Sequence, residues 1–208
     1  MREVEFFLDP FCPWAWNASR FVVEVAGPAE LQVTWRFISL AVLNENSAGY
    51  PGLDLTRQLI RVPASAREHG GNDAVGDVYT ALGNVLHVGG VSRKVWEGDK
   101  VDVREIAAEA VRDAGLPAHV AHAVEEPSYD ELVRAETELA LSRTGPDVGT
   151  PIITFDLARP EATSLFGPVI AKVPRGEAAV ELWNALAVVA DSGVSELKRS
   201  LRGDLRFD

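Results

Sequence analysis

A chain of 208 residues has room for one domain, or one domain carrying an insertion, and its net charge of -11 argues against nucleic acid and anionic membrane as partners. Hydrophobic residues make up 47% and charged residues 25%, an ordinary soluble mixture, and no apolar run approaches the roughly 20 residues needed to cross a bilayer. The single cysteine, Cys12, excludes an internal disulfide framework. With no basic-then-apolar leader at the N-terminus, the expected location is the reducing cytoplasm.

In chain order, VEFFL (4–8) is short, apolar and β-prone and stops at Asp9-Pro10, which predicts a buried strand. A helix is predicted from Pro13, with Trp16, Phe21, Val22, Val25 and Ala26 on its inner face and Gly27-Pro28 as the stop. LQVTWRFISL (31–40) alternates Leu31, Val33, Trp35 and Phe37 with polar neighbours, the period of a strand. Together these make a β-α-β unit, which favours a parallel pair joined by a right-handed crossover.

Residues 41–147 read as almost entirely helical. Weak helical patterns cover 52–70 and 74–88. DVREIAAEAVRDAGLP opens with Asp102 and Glu105 at capping-box spacing and closes at Gly115. PSYDELVRAETELALSR repeats the device, with Ser128 as the expected N-cap and Glu131 three residues on. TPIITF (150–155) and SLFGPV (164–169), joined by the loop DLARPEAT, predict an antiparallel hairpin. A last helix is expected from Pro174, with Ala178, Leu182, Trp183, Leu186 and Val189 facing inward. The order β-α-β, helical block, β-β-α is that of an α/β thioredoxin fold with a large inserted α-helical domain: residues 1–40 and 148–208 form the thioredoxin-like part and 41–147 the insertion.

The chemistry concentrates in LDPFCPWAWNASRF (8–21). Cys12 follows a strand and stands at a helix start, with Pro13 at the first helical position, where a missing N–H costs nothing. Unpaired backbone N–H groups there stabilise a thiolate, so the expectation is a thiol more acidic than a free cysteine. The spacing is that of a C-x-x-C loop whose fourth place is Ala15.

DPFCPWAW, FISLAVLNEN (37–46), VYTALGNVLH (78–87), DVGTP (147–151) and FGPVIAKVPRGE (166–177) together resemble the actinobacterial DsbA-like oxidoreductases. Within them the chain is most similar to the mycothiol-dependent nitroreductase group. Wider relatives include DsbA, the kappa-class glutathione transferases, the 2-hydroxychromene-2-carboxylate isomerases and the FrnE-type proteins. The resemblance implies that Cys12 is the nucleophile, that Pro13 and Trp14 are the intervening motif residues, and that Pro151, after Thr150, is a cis proline facing the cysteine. It also implies a low-molecular-weight thiol as cofactor, mycothiol or glutathione, acting with a small electrophilic or disulfide substrate, and it allows a homodimer.

Ala15 departs from the family, which has a resolving cysteine there. Either the chain is a natural monothiol member or that cysteine has been replaced; both stay open. The expected function is a thiol-dependent oxidoreductase reducing disulfides or nitroaromatic compounds, and the alternative is a thiol-cofactor-dependent isomerase or transferase. Asn44, Tyr50, Lys172 and Arg175 complete the candidate binding residues, the two cations being placed to hold polar groups of the cofactor. His87 reads as a helix-end histidine. His119 and His122 share a helix with no third ligand, so no metal is expected.

Overall fold

The computed structural model describes residues 2–47, 50–158, 162–198 and 201–207. The chain runs β1 (Arg2–Leu8), α1 (Pro13–Ala26), β2 (Leu31–Phe37), then α2 (Leu40–Leu43), α3 (Leu53–Leu59), α4 (Arg61–Gly83), α5 (Val91–Trp96), α6 (Val103–Asp113) and α7 (Asp130–Thr144), and returns through β3 (Ile152–Phe155) and β4 (Thr163–Phe166) to α8 (Glu177–Asp191). The sheet order is β2-β1-β3-β4. β1 and β2 are parallel, in register Phe6 to Trp35, while β3 is antiparallel to both β1 and β4. This is the thioredoxin arrangement with its helical insertion between β2 and β3.

Strand alternation sorts β1 between two layers. Val4, Phe6 and Leu8 pack with Phe21, Val22 and Val25 of α1 and Trp183 of α8. Phe7 points the other way, into a cluster with Ile38, Ala140 and Ile152 beneath α7. Glu5 is also buried on β1, and Arg36 and Arg143 pair with it. Burial alone pushes its carboxyl up; the two guanidinium groups outweigh that and hold it below the usual range.

The helical block has its own core, in which Leu59, Val62, Val78, Leu82, Leu86, Ile106, Val111 and Val120 converge. One residue of the Cys12 loop, Phe11, is part of that core. A second tie is Trp16 of α1, whose ring lies so close to Gly83 of α4 that a Cβ there would stand 2.1 Å from it. The third is Glu136 of α7, which is buried and accepts from Phe37 N–H at 2.8 Å, Arg36 at 3.0 Å and Arg67 at 2.6 Å.

Some local expectations are corrected. β2 ends at Phe37, because Ser39 caps a new short helix, accepting from Ala41 and Val42 N–H. The weak patterns at 52–88 form one long path, broken at Gly70-Gly71, where the backbone leaves helical geometry, and ending in a π-turn over Asn84–Val88. Ser128 is not an N-cap: Pro127–Tyr129 winds into a 3-10 turn that feeds directly into α7. His119 and His122 likewise lie on a 3-10 helix, Ala118–Glu125. α8 starts at Glu177, after Gly176 turns the chain at φ +57, and Ala179, Trp183 and Ala190 are its buried residues, whereas Ala178 is exposed. Part of the DLARPEAT loop, residues 159–161, lies outside the described residues.

Candidate functional site

Cys12 is the N-cap of α1, in extended backbone at φ -82 and ψ 111, with Pro13 following at the first helical position. Its Sγ accepts from Ala15 N–H at 3.4 Å, and its S–H donates to the Thr150 carbonyl at 3.7 Å. The Thr150–Pro151 peptide bond is cis. Thus the helix start and the β3 approach, far apart in sequence, meet at one sulfur.

The thiol is enclosed. Cys12 is 4% exposed and Ala15 0%; they pack with Leu40, and Trp14, Leu43 and Tyr50 lie against them. This enclosure reverses the expected acidity. Burial, aided by the nearby Asp9 charge, pushes the Cys12 thiol up to about 12, against the opposing pull of the Ala15 and Trp14 N–H groups and Arg202. A helix start favours a thiolate most where water also reaches the sulfur, and here the packed side chains exclude water, so burial outweighs the helix-start N–H groups. The structure therefore holds a neutral thiol, with a donor and an acceptor contact both made.

One prediction follows with a definite sign. Below its folded pKa the thiolate fraction rises tenfold per pH unit, so the iodoacetamide alkylation rate of the native protein should climb about a hundredfold between pH 7 and 9. It should not level off near about 8.5, the midpoint of a free thiol. A plateau below pH 8 would show that the thiol is acidic in the native state.

Asp9, three residues before Cys12, organises the loop. It is fully buried; Oδ1 accepts from Phe11 N–H at 2.8 Å and Thr56 Oγ–H at 2.8 Å, and Oδ2 accepts from Leu40 N–H at 2.7 Å. One carboxylate thereby joins the Cys12 loop, the exit of β2 and α3. Burial pushes its pKa up to about 6 despite the three donors. His87 braces the other side: Nε2 contacts the Pro10 carbonyl at 3.0 Å and Nδ1 contacts Ser92 Oγ at 3.2 Å. Desolvation pushes its pKa down to about 4, so the ring is neutral, with Nε2–H donating to Pro10 and Nδ1 accepting from Ser92. His87 is a structural clamp on the loop.

The remaining candidates divide. Tyr50 sits against the Cys12 cluster and stacks edge-on to Trp96, 5.6 Å between centroids, and burial pushes its phenol up to about 12. Thr150 Oγ1 is buried beside Cys12 with no hydrogen-bond partner among the described residues. Asn44 ends α2, and its side-chain amide donates to the Leu40 carbonyl at 2.8 Å, which makes it first a helix cap. Lys172 is exposed next to Ala171, whose carbonyl accepts from Asn17 Nδ2 at 3.0 Å. Arg175 is displaced from the site: it pairs with Glu24 at 3.0 Å, in the last turn of α1 and about 18 Å along the helix from Cys12. Sequence reading passed over Asp9, whose spacing to the cysteine was the available signal, and Arg202, for which no local signal exists.

Among the described residues no group of three or more metal-ligating side chains is present, and no helix is long and apolar enough to cross a membrane.

Comparison with known proteins adds the following. The family model described as Rv2466c-like, mycothiol-dependent nitroreductase Rv2466c, matches residues 11–199. The uncharacterized protein Rv2286c of Mycobacterium tuberculosis is 28% identical over 212 residues, covering 96% of this chain and 82% of its own length. Among solved structures, the probable DsbA oxidoreductase SCO1869 from Streptomyces coelicolor has a TM-score of 0.58 at 20% identity, over 96% of this chain and 94% of that one. The cytosolic disulfide reductase DsbM from Pseudomonas aeruginosa, solved with GSH, has a TM-score of 0.56 at 14% identity, over 89% and 99%.

Proposed function

Since the chain belongs to the Rv2466c-like, mycothiol-dependent nitroreductase family, we propose that it is a monothiol oxidoreductase that acts through Cys12 with a low-molecular-weight thiol, mycothiol first. The observation that carries this reading is the placement of the only cysteine at the start of α1, against the Thr150 carbonyl, with Ala15 where a second thiol would act.

The residues fit a thiol cofactor. Thr150, whose carbonyl accepts from the Cys12 thiol, also has a buried Oγ1 with no partner among the described residues, suited to a ligand amide or hydroxyl. When bound, the cofactor supplies the second thiol that this chain lacks. The neighbour solved with GSH is consistent with a small thiol held by this fold. A reducing cytoplasm suits the scheme, since it keeps both the cofactor and Cys12 reduced.

The exchange runs in two balanced steps. With the cover of Leu40 and Tyr50 displaced, the Cys12 thiolate attacks one sulfur of a disulfide substrate. A bond from Sγ to that sulfur forms, the S–S bond breaks, and the departing thiolate takes a proton. An external thiolate then attacks the mixed disulfide, restoring Cys12 and leaving as the new disulfide. Nitroaromatic compounds form the second substrate class, their electrons coming from the same external thiols. Asp9 and His87 serve by holding the loop, since Asp9 accepts from Phe11, Leu40 and Thr56 and His87 bridges Pro10 and Ser92.

The test follows from Ala15. Treated with a mycothiol or glutathione disulfide, the protein should form a stable one-to-one adduct at Cys12, seen as a mass shift, that added thiol removes. Ala15→Cys should discharge the adduct without added thiol by closing a disulfide to Cys12. An adduct equally long-lived in both proteins would overturn the resolving role given to position 15. No adduct in either would overturn the nucleophilic role of Cys12.

A further inference from the structure

From the other end of the chain, residues 201–207 return to the Cys12 loop. The guanidinium of Arg202 lies over the ring of Trp14, 5.5 Å from its centroid. Gly203 packs against Ala171, where a Cβ would come within 3.2 Å of the alanine methyl. Arg206 N–H donates to the Ala171 carbonyl at 2.8 Å, and the Arg206 carbonyl accepts from Asn17 Nδ2 at 3.2 Å. Asn17 is fully buried on α1, and the same amide reaches the Ile170 carbonyl. Phe207 lies against His87, 5.6 Å between ring centroids, and His87 in turn holds Pro10. The stretch is thus docked by backbone, ring and glycine contacts on both sides of the active loop. It lies beyond residue 199, where the match to the family model ends.

We propose that residues 201–207 complete the Cys12 site as a strap, with Arg202 as a positioning residue that seats Trp14 against the active loop and brings a positive charge to it. The proposal rests on Cys12 being the reactive group. A guanidinium stacked on an indole keeps its charge while its planar face is held, so it can orient the ring and act electrostatically at once. That charge favours the ionised sulfur, opposing burial and the Asp9 carboxylate. On a chain of net charge -11, a cation held over Trp14 next to the thiol loop also counters the field that would repel an anionic thiol or disulfide.

The test is the rate of Cys12 alkylation at pH 8 in the intact protein, read by mass. Arg202→Gln should slow it about threefold, half a pKa unit, and Arg202→Lys should recover most of the loss. The difference between the Gln and Lys proteins should shrink at 1 M salt, as an exposed charge effect must. A chain ending at Gly203 keeps Arg202 but loses the anchors at 206 and 207; it should behave like the Gln variant. Equal rates in the parent and Arg202→Gln proteins, or a Lys variant as slow as the Gln variant, would overturn the proposal. Absence of alkylation at Cys12 in every protein, denatured controls reacting normally, would instead count against the functional reading itself.

Discussion

Cys12→Ser is expected to lower thiol–disulfide exchange with a low-molecular-weight disulfide by at least about a thousandfold. Cys12 is the only sulfur nucleophile of the chain. A serine hydroxyl in its place would need a base to become reactive, and the neighbouring groups are committed elsewhere. His87 spends its ring nitrogens on Pro10 and Ser92, and the Asp9 oxygens accept from Phe11, Leu40 and Thr56. The serine protein should also form no adduct with a cofactor disulfide. The measurement is turnover with external thiol present, because that condition separates the enzyme classes. If the serine protein keeps a tenth or more of the parent rate, the bound cofactor's own thiol performs the chemistry. That is the behaviour of a thiol-cofactor-dependent isomerase or transferase, for which Ala15 would be no handicap.

The largest effect on stability should come from a junction outside the site. Glu136→Ala is expected to cost about 3 kcal/mol. The substitution leaves the buried Phe37 N–H without its acceptor and removes the carboxylate that Arg36 and Arg67 share. Arg36 retains Glu5, while Arg67 retains the Trp35 carbonyl at 2.8 Å and the face of Phe37, which moderates the loss. For a chain of this size the melting temperature should fall by about 9 °C. Glu136→Gln, which still offers Phe37 an acceptor, should lose roughly half as much. A loss below about 1 kcal/mol for the alanine variant would mean that α7 is held to the sheet by apolar packing and the Arg143–Glu5 pair, with Glu136 adding little.

Local signals in the sequence were enough for the elements around the thiol. Pro13 at the first helical position, Gly27-Pro28 at the end of α1, the alternation of Leu31, Trp35 and Phe37, and Asp102 before α6 each act on a few neighbouring residues. Their conformational preferences are therefore readable without knowing what packs on them. The same locality explains the failures: Ser128 had the right spacing for a cap, but Pro127 at the start of a 3-10 turn carried the chain into α7 by another route.

What only the tertiary structure decided is the environment of those elements. The position of Cys12 was legible, yet its neutral state follows from Leu40, Leu43, Tyr50 and Trp14 closing over it, and desolvation depends on groups brought from elsewhere in the chain. Asp9 gathers donors from residues 11, 40 and 56, and no spacing rule links those positions. Arg175, read as a site cation, went to Glu24 at the far end of α1, while Arg202 came to Trp14 from the C-terminal stretch. Sequence sets which backbone conformations are cheap nearby; burial and charge at a site are sums over distant partners, and only folding chooses those.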